Sequence, residues 1–79
     1  MIQIIHLKVC QDYTLFIELS SGKKGHFDVK RFWDKGYFNE LKNYEYFAQV
    51  QNRGRSIFWP HEQDFSADTI EVLLNENGP

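Results

Sequence analysis

Tyr13-Thr14-Leu15-Phe16-Ile17-Glu18-Leu19 is the stretch on which the fold turns. Tyr13, Leu15, Ile17 and Leu19 alternate with Thr14, Phe16 and Glu18, the period-two pattern of a strand with one buried face. Residues 2–10 upstream are rich in Ile, Leu and Val and read as another strand, with Ile5, Leu7 and Val9 on one face. Only Gln11-Asp12 separates the two runs, so they are expected to pair as an antiparallel hairpin. Downstream, Ser20-Ser21-Gly22-Lys23 reads as a turn in which Gly22 takes the positive φ that other residues avoid. Lys24 to Asp28 follows as a third strand carrying Phe27 inward. The first half therefore reads as a three-strand meander.

The middle mixes rings with charge. Phe38 and Leu41, and then Tyr44 and Phe47, are three apart and suit one face of short helical turns, interrupted at Gly36. Two further strands are expected, Phe47 to Asn52 and Ser56 to Trp59, joined by an Arg53-Gly54-Arg55 turn. Pro60 ends the second, because it has no N–H for a ladder bond. Ser66 is placed to cap a last helix from about Ala67 to Leu74, with Ile70, Leu73 and Leu74 buried. The expected class is α+β in two layers: a small antiparallel sheet made of the meander and two further strands, covered by short helices and a short C-terminal helix. Phe32, Trp33, Phe38, Phe47, Phe58 and Trp59 are expected to fill the space between the layers.

The 79 residues fit a single compact domain, with an ordered core over about 3–74 and a polar, frayed tail at 75–79. Nine Lys and Arg against 11 Asp and Glu give a net charge of -2, which lacks the basic excess of a dedicated nucleic-acid binder. Aromatic residues make up 16%, and large rings supply buried area that so small a domain otherwise lacks. The single cysteine, Cys10, cannot form an internal disulfide, which suits a reducing cytoplasm. No apolar run reaches membrane-span length, and the N-terminus has no cationic start to a signal peptide.

Few residue groups suggest chemistry. His61, Asp64 and Asp68 are oxygen and nitrogen ligands close in sequence and so a candidate metal set, but their spacing matches no zinc motif. Asp64 and Ser66 more simply stabilise a turn and the start of the last helix, with Asp68 facing the positive end of its dipole. His6, His26 and His61 with nearby aspartates form no recognisable triad, and the glycines have no phosphate-loop spacing. Lys30-Arg31-Phe32-Trp33 and Arg53-Gly54-Arg55 pair cations with rings, as single-strand nucleic-acid sites do, although Asp28 and Asp34 interleave. No cofactor is expected.

The ordered series resembles the domain of unknown function 2442 family of small bacterial α+β proteins. The resemblance rests on Tyr13-Thr14-Leu15, Gly25-His26-Phe27-Asp28, Gly36-Tyr37-Phe38-Asn39-Glu40-Leu41, Phe47 and Ile57-Phe58-Trp59-Pro60, then on Asp64-Phe65-Ser66-Ala67-Asp68. It covers roughly residues 3–72, and the ending from Trp59-Pro60 is its most specific part. Thr69-Ile70-Glu71 stands where relatives often have Leu-Tyr-Glu, a core substitution. The resemblance implies no catalytic activity. It assigns Asp28, Trp59, Pro60, Asp64, Ser66 and Asp68 structural parts. Some relatives carry an additional helix-turn-helix domain, which is not expected here; others are labelled antitoxin-like. The expectation is a non-enzymatic protein-interaction module in the cytoplasm, in its specific form the antitoxin-like partner of a small toxin. The alternatives are a nucleic-acid-associated regulator and a metal-dependent enzyme. Arg31, Trp33, Tyr37, Tyr44 and Trp59 are candidate partner contacts by residue type, with burial to decide between anchor and core. Association with a second copy is compatible with this composition.

Overall fold

The computed structural model describes residues 1–76. Strands β1 (Ile4–Val9), β2 (Thr14–Leu19) and β3 (Lys24–Asp28) form the expected antiparallel meander, in spatial order β1-β2-β3. Leu15, Ile17, Leu19 and Phe27 are fully buried on its inner face. Gly22 closes the β2–β3 turn at φ 95°. Gly25 lies within β3, where the last helix passes close: a Cβ there would stand 3.4 Å from a Leu74 methyl.

The pairing of β1 departs from simple alternation. A bulge between Ile4 and His6 shifts the register, so Ile4 is buried and Ile5 is 57% exposed. The expected face Ile5, Leu7, Val9 is therefore corrected to Ile4, Leu7, Val9, since one inserted residue turns its side chain out. Tyr13 likewise leaves the strand. It adopts φ 65°, in the turn where Asp12 accepts hydrogen bonds from the Thr14 N–H (3.2 Å) and hydroxyl (2.6 Å). Its ring meets Trp33, Tyr44 and Phe47, and its hydroxyl donates to the Lys42 carbonyl at 3.0 Å.

After β3 come a single 3-10 turn, Val29–Arg31, and a longer 3-10 segment, Gly36–Lys42, burying Val29 and Leu41. Helix α1 (Tyr44–Phe47) starts at Asn43, whose side chain accepts from the Glu45 N–H. The expected strand from Phe47 is thus corrected. Asn43 caps a helical turn that ends in Phe47, and β4 is only Gln51–Asn52. β4 pairs with β5 (Ser56–Phe58), and β5 pairs with β6 (Asp64–Ser66), a strand read from sequence only as a turn and cap. These make a second three-stranded antiparallel sheet, where a single sheet was expected. The two sheets meet at Ile4. Its N–H donates to the Gly54 carbonyl (2.6 Å), and its carbonyl accepts from the Asn52 amide (2.9 Å).

Helix α2 (Ala67–Glu76) begins where Ser66 Oγ accepts from the Thr69 N–H at 3.1 Å, the expected cap. It extends past the expected end at Leu74, so the proposed tail at 75–79 begins inside it, and 77–79 lie outside the described residues. Ile70 and Leu74 are buried and Leu73 half-buried. Residues of both sheets, α1 and α2 join in one core. Of the expected interlayer rings, Phe47 and Trp59 are buried, Phe32, Trp33 and Phe38 pack half-buried against the core, and Phe58 sits half-buried under the Arg53 guanidinium, 3.9 Å from its ring centre. Phe65 is the hinge of the packing, meeting Phe27, Phe32, Phe38 and Trp59 within 6.1 Å.

Candidate functional site

Two features stand out, a polar cluster and an open strand edge. The cluster forms at the loop between β5 and β6. Pro60 fixes the first central position of a turn in which the Glu62 N–H donates to the Trp59 carbonyl (3.0 Å). Glu62 then adopts φ 80°, and the Trp59 N–H donates to the Gln63 carbonyl at 2.9 Å. This three-residue loop with a left-handed last residue turns Gln63 inward, where it is completely buried. The Gln63 side chain donates to the Tyr37 carbonyl (2.8 Å) and to Glu40 (2.8 Å), and its oxygen accepts from the Tyr46 hydroxyl (2.6 Å). The same hydroxyl accepts from the His61 N–H at 2.9 Å. The second Glu40 oxygen meets His61 Nδ1 at 2.7 Å, and the His61 ring stacks on Tyr46. Hydrogen bonds from Gln63, then from His61, hold the Glu40 carboxyl below its ordinary value, against a smaller opposing effect of lost solvent. The cluster pins the loop to the 3-10 segment and to α1, and each of its named groups bonds another part of the fold.

The edge belongs to β1, which pairs with a strand on one side only. The Cys10 N–H donates to the Thr14 carbonyl, so Lys8 and Cys10 direct their backbone groups at β2 while Leu7 and Val9 direct theirs outward. Among the described residues, nothing bonds those outward groups; the second sheet covers only Ile4. Leu7 and Val9 are half-buried on the core side, and His6 and Lys8 are exposed on the other. At the opposite edge, β3 lies beside α2, with Leu74 against Gly25.

The residues singled out from the sequence scatter between these features. Trp59 is 1% exposed and its indole N–H donates to the Phe47 carbonyl (2.9 Å), which makes it a core ring rather than a surface anchor. Trp33 and Tyr44 are half-buried around Tyr13. Tyr37 is 54% exposed beside the cluster, and Arg31 is exposed with its guanidinium 5.5 Å from the Phe32 ring centre. Asp28 accepts from the Lys30 N–H (2.9 Å) at the first 3-10 turn and pairs with the Lys30 ammonium. Of the candidate metal set, His61 is engaged with Glu40, while Asp64 lies exposed on β6 and Asp68 exposed in the first turn of α2. Among the described residues, no group of three or more His, Cys, Asp or Glu side chains is placed to hold a metal ion. No helix there is long and apolar enough to cross a membrane. The roles of Glu40, Tyr46 and Gln63 escaped the sequence reading; an unpaired edge strand was expected as a binding mode, but not that Leu7 and Val9 would form it. The readable signal for Gln63 was its place just after the Pro60-His61-Glu62 loop.

No curated protein and no solved structure matches the chain. Residues 4–75 match the family described as a protein of unknown function, DUF2442, from the first strand into the last helix. The chain belongs to that DUF2442 family.

Proposed function

We propose that this protein is a non-catalytic interaction module that takes an extended segment of a partner protein as an additional strand beside β1. The observation behind this reading is the outward N–H and C=O groups of Leu7 and Val9. Added strands gain affinity from such main-chain bonds and specificity from alternate side chains. Ile5, turned out by the bulge, adds apolar surface at the same edge. The bonding within the Glu40, Tyr46, His61 and Gln63 cluster accords with a scaffold role for the most polar part of the molecule. In its specific form the module is the antitoxin-like partner of a small toxin, as the family resemblance suggests, and the product of the adjacent gene is the partner to try.

The test is co-expression with that product, followed by amide hydrogen exchange of the complex. Slowed exchange at Leu7 and Val9 on complex formation is the expected result. Failure to associate overturns the toxin-partner form, and a complex that leaves both amides exchanging as in the isolated chain overturns strand addition.

A further inference from the structure

We infer that the β1 edge selects a partner strand in which apolar residues alternate with acidic ones, an inference that rests on the strand-addition reading above. A strand laid beside β1 has two faces. One continues the core side, next to the half-buried Leu7 and Val9, and calls for apolar side chains. The other continues the outer side, next to His6 and Lys8. On that side Glu18 stands opposite His6 in the β1–β2 register and opposite Lys24 in the β2–β3 register. Lys8 differs, because its cross-strand neighbour is Phe16, whose ring is flanked by His6 and His26 at 6.0 and 5.4 Å. Among the described residues Lys8 makes no ion pair, so its ammonium is open to a carboxylate carried by an added strand.

The same arrangement disfavours a second copy of this chain. Antiparallel pairing of β1 with itself, centred on Leu7 or on Lys8, sets Lys8 against His6 or against another Lys8. Edge lysines are a known barrier to self-pairing.

Two capped peptides of equal length, one alternating valine with glutamate and one alternating valine with lysine, would be titrated into the labelled full-length chain. Backbone amide shifts and exchange at Leu7 and Val9 are the readout. The glutamate peptide is expected to bind at those amides more tightly than the lysine peptide. Lys8→Glu is expected to weaken the glutamate peptide by about threefold to fivefold and to strengthen the lysine peptide. Equal binding of both peptides, or no response to Lys8→Glu, overturns the charge selection and leaves strand addition standing. If neither peptide protects Leu7 and Val9, strand addition itself falls. Concentration-dependent dimerisation that protects those amides without peptide assigns the edge to a second copy and overturns the inference.

Discussion

The Tyr46 hydroxyl donates to the side-chain oxygen of Gln63 at 2.6 Å, across 17 residues of sequence and inside the core. Because Gln63 is fully buried and bonded at both ends of its amide, replacing it with leucine strands a hydroxyl and a carbonyl that it satisfied. Gln63→Leu is expected to lower unfolding free energy by about 2 kcal/mol in a urea titration. Tyr46→Phe removes one hydroxyl from the same network, and the two changes together should cost less than their sum.

Glu40 gives the fold an acid sensitivity of known sign. Its carboxylate is favoured in the folded state, chiefly by the Gln63 amide and then by His61, so its folded value lies below its unfolded one. Its contribution is therefore complete above the ordinary glutamate range and fades as the pH falls through the depressed folded value. Asp12, lowered mainly by the Thr14 hydroxyl, acts in the same direction. Side-chain carboxyl titration by NMR should place Glu40 below free glutamate in the native protein and move it upward in Gln63→Leu.

Glu62 holds a left-handed conformation in the loop after Pro60. An L-residue there costs roughly 1–2 kcal/mol relative to its preferred backbone, and glycine avoids that cost at the expense of a more flexible unfolded chain. Glu62→Gly is expected to raise the thermal midpoint slightly, by about 0.5 kcal/mol of stability. Glu62→Val should lower it. A pair of melting curves distinguishes the two.

Proline tests which backbone groups are spoken for. The Val9 N–H faces outward, so Val9→Pro removes no bond to β2 and is expected to cost about 1 kcal/mol or less while abolishing strand addition. Ile17 sits in the middle of β2 and pairs with Gly25, so Ile17→Pro breaks a ladder bond in a central strand and should cost about 3 kcal/mol or more. Denaturation of the two variants gives the comparison directly.

The strands of the meander were readable because alternation survives wherever pairing is regular. Ile5 was misplaced because a bulge leaves no mark in the spacing of apolar residues. β6 was missed because three residues with one buried ring, Phe65, look the same as a turn before a helix. Phe47 stood at the junction of two readings, three residues after Tyr44 on a helical face and first in an expected strand; the Asn43 cap assigns it to the helix. The polar cluster was invisible for a different reason. Glu40, Tyr46 and Gln63 are ordinary surface residues by type, and only the fold of the Trp59–Gln63 loop brings them together. Trp59 shows the converse, a residue type typical of binding sites that the chain spends on its interior.

The ring of Phe65 comes from the second half of the chain yet packs against both Phe27 and Phe32 of the first. Neither half can finish its own interior. Cleavage after Lys42 would therefore leave two fragments that are each disordered alone but restore the native spectrum when mixed.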